Sequence, residues 1–107
     1  MEKTLEELRL EIDKIDTIMA ECFENRMHIV ADIAKIKAAT GKNTYDPERE
    51  KYVIEKNCAL MLDKELIPFY KDFLQHNMDL SKAYQNMLRE QKKFVNDEAI
   101  KMQNKKA

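Results

Sequence analysis

Only three residues in this 107-residue chain are strong helix breakers: Gly41, Pro47 and Pro68. Everything between them is free to coil, and the composition favours it. Glu, Lys, Leu, Met and Ala dominate, 36% of the residues are charged, and Trp is absent. Such a chain predicts long helices, whereas a sheet would need more turn residues and more β-branched side chains. The expected fold is all-α, with three helices and one of them long and N-terminal. At this length one domain, residues 1–107, is the default. A single chain built from a few long helices buries little surface by itself, so association is expected from the outset.

The first helix is expected from about Thr4 to Thr40. Leu5, Leu8, Ile12, Ile15, Met19, Cys22, Ile29, Ile33 and Ile36 recur at alternating three- and four-residue steps, which is a heptad seam. Arg26 occupies the slot between Cys22 and Ile29. Thr40-Gly41 ends the helix, with glycine suited to a left-handed residue just past the terminus. Asp46 caps a second helix that has Pro47 at its first position and ends near Leu62. A third helix runs from about Leu66 into the nineties. Its stripe is Tyr70, Leu74, Asn77, Ser81, Tyr84 and Leu88, with Gln85 one turn beyond Ser81. After Leu88 the sequence is a charged extension, with Phe94, Val95, Ile100 and Met102 thinly spaced.

Several function classes lose support at this level. A net charge of −1 gives no general attraction to nucleic acid or acidic lipid. The opening residues are charged rather than a secretory signal, and no run approaches a membrane span. These features point to a cytoplasmic protein with reduced Cys22 and Cys58. His28 and His76 have no partners at metal-ligand spacing, and no phosphate loop or nucleophile triad is present, so neither a metal nor a cofactor is expected.

What remains is polar chemistry inside apolar stripes. A guanidinium in an apolar seam is costly unless it is compensated. Lys37 lies eleven residues after Arg26, about three turns on, so the two project from nearly one face roughly 16 Å apart. They suit the two ends of a small anion, although pairing with carboxylates or extension to water also accounts for them. Ser81 and Gln85, at i and i+4, share a face as neutral donors, for a ligand or for another helix.

Taken in order, these residues resemble the AroQ-type, all-helical chorismate mutases over about residues 5–88. The first helix supplies Leu5-Glu-Glu-Leu-Arg9-Leu-Glu-Ile-Asp13-Lys-Ile-Asp16, then Arg26, then Ile33-Ala-Lys-Ile-Lys37. The second supplies Tyr45-Asp46-Pro47-Glu48-Arg49-Glu50, and the third Leu80-Ser81-Lys-Ala-Tyr84-Gln85. The resemblance implies rearrangement of chorismate to prephenate, a pericyclic step in aromatic amino-acid biosynthesis that uses no cofactor. It implies that Arg9 and Arg26 hold carboxylates, with Ser81 on a carboxylate. Lys37 and Gln85 donate to the breaking ether oxygen, and Glu50 takes the ring hydroxyl. Asp46 and Arg49 complete the pocket. A shifted register of the third helix would put Asn77 and Ser81 in the roles of Ser81 and Gln85. The resemblance also implies an intertwined homodimer, because Arg9 and Lys37 are about 42 Å apart along one straight helix and reach a common site only if Arg9 comes from the other chain. Isochorismate pyruvate-lyase activity, or a non-catalytic helical dimerisation module, are the alternative readings.

Overall fold

The computed structural model describes the backbone of residues 2–106 and the side chains of residues 2–91. It contains three α-helices and, among the described residues, no strand: α1 (Leu5–Ala39), α2 (Pro47–Cys58) and α3 (Ile67–Lys106), with a short 3-10 turn, Lys64–Leu66, leading into α3.

Each terminus has a local cause. The Thr4 hydroxyl accepts from the Glu7 backbone N–H at 3.1 Å and donates to the Glu7 carboxylate at 3.3 Å, so Thr4 caps α1. At the other end Gly41 adopts φ +70°. This lets the Lys42 N–H reach the Lys37 carbonyl at 2.8 Å and the Gly41 N–H reach that of Ala38 at 3.4 Å. Both bonds of a Schellman closure are present, and the chain reverses toward α3. Asp46 caps α2 by accepting from the Arg49 N–H at 3.1 Å, with Pro47 in the first turn.

The second helix stops at Cys58 rather than near Leu62. Its last turn tightens, as Leu60 and Met61 donate to carbonyls only three residues back, those of Asn57 and Cys58. Asp63 is extended because its carboxylate caps the 3-10 turn, accepting from the Glu65 N–H at 3.1 Å. Helix α2 cannot run into a residue held in that conformation. At the carboxyl end α3 continues to Lys106. The expected apolar positions Phe94, Val95, Ile100 and Met102 lie outside the described side chains.

The face of α1 that packs within the chain is a correction to the expected seam. Val30 and Ala34 are the buried residues of α1, and Arg26 and Lys37 are half-buried on the same stripe. The seam residues Ile29 and Ile36 remain 61% and 63% exposed. Small side chains at 30 and 34 let α3 approach, and the larger isoleucines are left on the neighbouring, uncovered stripe. From α3 the buried apolar partners are Leu74 and Met78. The buried set among the described residues is therefore four apolar side chains and two polar ones, Ser81 and Gln85, and none of the side chains is fully enclosed.

From Leu5 to Phe23, α1 carries its apolar side chains in the open: Leu8, Ile12, Ile15, Met19 and Phe23 are all exposed. Beside this stretch a groove of about 550 Å³ is lined by Met19, Phe23, Arg26, Phe73, Asn77 and Leu80, among others, and its walls are largely apolar.

Candidate active site

The α1–α3 interface brings Arg26 and Ser81 into contact. The Arg26 guanidinium donates to Ser81 Oγ, and Ser81 in turn donates to the Asn77 carbonyl at 2.9 Å. Arg26 is thereby held at the edge of the small core. Its pKa is lowered, first by burial and then by the positive charge of Arg49 from α2. Among the described residues neither guanidinium forms an ion pair with a carboxylate, and together they make a cationic corner. Like charges side by side disfavour one another, and the corner suits an anion.

One turn beyond Ser81, Gln85 is only 6% exposed, and its Oε1 is buried without a hydrogen-bond partner. A buried amide oxygen left unpaired is unusual in a folded protein and calls for an explanation. Gln85 follows Ser81 by one turn on the buried side of α3, while Lys37 follows Arg26 by about three turns on α1. The Lys37 ammonium donates to the Thr44 carbonyl at 3.0 Å, across the Schellman turn. Arg89, one turn past Gln85, donates to the Lys42 carbonyl at 2.8 Å and to Thr44 Oγ1 at 3.2 Å. The loop after α1 is thus gripped by a lysine from α1 and an arginine from α3.

Glu50, in the first turn of α2, faces α3. Its Oε2 pairs with the Lys82 ammonium at 2.9 Å and its Oε1 accepts from Gln75 at 3.2 Å. Lys82 also pairs with Asp79 at 3.2 Å and lies 4.7 Å from the centre of the Tyr45 ring. Its pKa is raised, chiefly by the hydrogen bond to Glu50, while the Asp79 carboxyl is lowered by hydrogen bonds from Gln75 and then Lys82. Asp46 is exposed and its carboxylate is engaged as the α2 cap. The Arg49 guanidinium lies 5.2 Å from the centre of the Tyr52 ring.

Of the residues singled out in the sequence, Arg26, Lys37, Arg49, Glu50, Ser81 and Gln85 thus lie on the α1, α2 and α3 segments that pack together, with Asp46 at the α2 terminus. Arg9 is not among them: it is exposed on the unpacked half of α1, and within one chain nothing brings it to this region. Sequence reasoning missed Gln75, Lys82 and Arg89. Gln75, Asp79 and Lys82 stand at i, i+4 and i+7 on one helix face, a spacing that was legible, but the convergence of Gln75 and Lys82 on Glu50 needed the packing of α2 on α3. Among the described residues no group of three His, Cys, Asp or Glu side chains comes together as metal ligands would, and no helix is long and apolar enough to cross a membrane.

A sequence profile of the type II chorismate mutases matches residues 8–86. The chain belongs to this family. It is accordingly an isomerase of the chorismate mutase family. A chorismate mutase of Methanocaldococcus jannaschii is 32% identical over 89 residues, an alignment that covers 78% of this chain and 90% of the relative. No solved structure gives a significant match.

Proposed function

We propose that the chain rearranges chorismate to prephenate at a site formed between the two chains of an antiparallel homodimer, in the cytoplasm. The observation that carries this reading is the contact of Arg26 with Ser81 at the α1–α3 interface, with the Arg49 charge beside them and the Gln85 amide buried one turn on. Gln85 Oε1 can only accept, so the group that this amide offers to an ether oxygen is its Nε2 donor.

The reaction is an intramolecular bond exchange that needs neither a nucleophile nor a proton transfer. The protein's tasks are to hold the compact conformer of a dianion and to stabilise the negative charge that grows on the ether oxygen as its bond breaks. Arg26, with Arg9 from the other chain, takes the carboxylates, and Ser81 adds a neutral contact. Arg49 contributes positive charge beside Arg26. Lys37 and Gln85 donate to the ether oxygen. Lys37 now spends one donor on the Thr44 carbonyl, which leaves two of its three N–H groups for substrate. Glu50 accepts from the ring hydroxyl, and Asp46 closes the loop side.

The exposed stripe from Leu5 to Phe23, the adjoining groove and the small core support a dimer. An apolar helix face of this length left in water is a liability that a second copy removes. Crossing two first helices near Met19 and Cys22 carries Arg9 of each chain toward the other chain's Arg26–Lys37 stretch. The test is direct: purified protein is mixed with chorismate and loss of its absorbance is followed, with prephenate as the product. Chorismate left intact while isochorismate yields pyruvate would favour the lyase reading. Inertness toward both would leave the dimerisation module.

A further inference from the structure

We infer that Lys82 is a positioning residue that fixes the Glu50 carboxylate, and with it the subsite for the ring hydroxyl; the inference rests on the role proposed for Glu50 above. The two oxygens of Glu50 are tied to α3 at points two turns apart, Oε1 to Gln75 at 3.2 Å and Oε2 to Lys82 at 2.9 Å. A carboxylate held at both oxygens has its plane and its χ angles set. Each oxygen still keeps a lone pair for a further donor. Lys82 is itself constrained on three sides, by Glu50, by Asp79 at 3.2 Å and by the Tyr45 ring at 4.7 Å.

An ordinary surface ion pair contributes little and leaves both side chains mobile. This pair differs, because the Lys82 and Glu50 side chains are only 25% and 16% exposed and the lysine spans two helices and the loop before Asp46. Removing the ammonium would leave a shielded carboxylate beside Asp79 with no cation of its own, free to swing toward water. A hydroxyl acceptor displaced in this way weakens ground-state and transition-state binding alike, so the loss falls on KM rather than on kcat.

The experiment compares Lys82→Met, Lys82→Arg, Glu50→Ala and Glu50→Ala/Lys82→Met with wild type, with circular dichroism and thermal melting to follow the fold. Lys82→Met should raise KM for chorismate about tenfold while kcat stays within about threefold, the scale of one displaced charged hydrogen bond. Lys82→Arg should recover most of the loss. The double variant should be no worse than Glu50→Ala alone, because the lysine acts through the glutamate. An unchanged KM in Lys82→Met, or losses that add in the double variant, would overturn the inference. Wild-type protein that does not consume chorismate would refute the mutase reading instead. The crystal structure of Lys82→Met then decides the positioning on its own: Glu50 should leave Gln75, and a Glu50 side chain unmoved from its place would overturn it.

Discussion

If Arg9 serves the other chain's site, two dead variants should make a living enzyme. Arg9 is exposed on the free half of α1, and a straight helix puts it about 42 Å from Lys37. No substrate the size of chorismate spans that distance. Arg9→Ala and Lys37→Ala, made separately, should each be nearly inactive, and removal of a preorganised donor such as Lys37 should lower turnover by about 10²–10³ or more. Unfolded together in equal amounts and refolded, the two chains pair at random, so about half of the dimers are mixed. In a mixed dimer one site takes Arg9→Ala and Lys37→Ala together. The other takes the intact Arg9 of one chain and the intact Lys37 of its partner. Half the dimers with one good site of two restores about a quarter of the wild-type rate, as two-fold symmetry requires. The assay is initial loss of chorismate absorbance at fixed total chain concentration, with size-exclusion chromatography to verify dimers. If Arg9 acts within its own chain, every site keeps a lesion and mixing restores nothing. That result would refute the trans arrangement.

Gln85 is uncharged, so wild-type turnover should be flat from weakly acidic to weakly alkaline pH. Gln85→Glu should work only at low pH, where its carboxyl is protonated and can donate, and full activity of this variant above about pH 8 would dismiss the role. In the same assay Gln85→Ala should lower kcat, whereas Ser81→Ala should mainly raise KM; the reverse pattern would favour the register with Asn77. Arg26 has a lowered pKa, and a cation lowered on folding costs stability at every pH below its folded pKa, with relief only in strong alkali. Arg26→Met should therefore keep or raise Tm while KM rises about a hundredfold, and a fall in Tm of more than about 5 °C would show the guanidinium to be a net stabiliser. Gly41→Ala should cost about 1 kcal/mol in urea unfolding: an added Cβ meets nothing within 4 Å, so the whole effect is the φ of +70°.

What the sequence carried best was local. Thr4, Gly41 and Asp46 act through bonds within a few positions and Pro47 through its fixed φ, and the helix boundaries expected there agree with α1 and the start of α2. The polar residues in the apolar stripes were legible because burying a charge or an amide is costly. The packed face of α1 was less legible. Val30 and Ala34 are modest in size and stand beside Ile29 and Ile33, so the larger isoleucines drew the eye to a stripe that stays uncovered within one chain. Periodicity reports that a face is apolar and not what covers it. The end of α2 was misjudged by four residues because Asp63 acts as a cap for the following turn, and an Asp reads equally well as a helix residue or a start. The partners of Glu50 lay beyond sequence reasoning, since Gln75 and Lys82 reach it across an interface between helices.

The loop from Thr40 to Tyr45 has one further consequence. Surface connections ordinarily tolerate insertion, and protein engineers choose them for tags and domain fusions. This one is a calibrated spacer. Its backbone closes on the Lys37 carbonyl, its Thr44 carbonyl receives the Lys37 ammonium, and Arg89 ties it to α3, so its length sets how far a single lysine reaches. Even one added residue would change that reach. The connection after α2 has no such duty. Leu62 there is 97% exposed, and the short turn before α3 is where a graft belongs. Lineages that lengthen or fuse this chain would be expected to do so at the second connection and to keep the first at its present count.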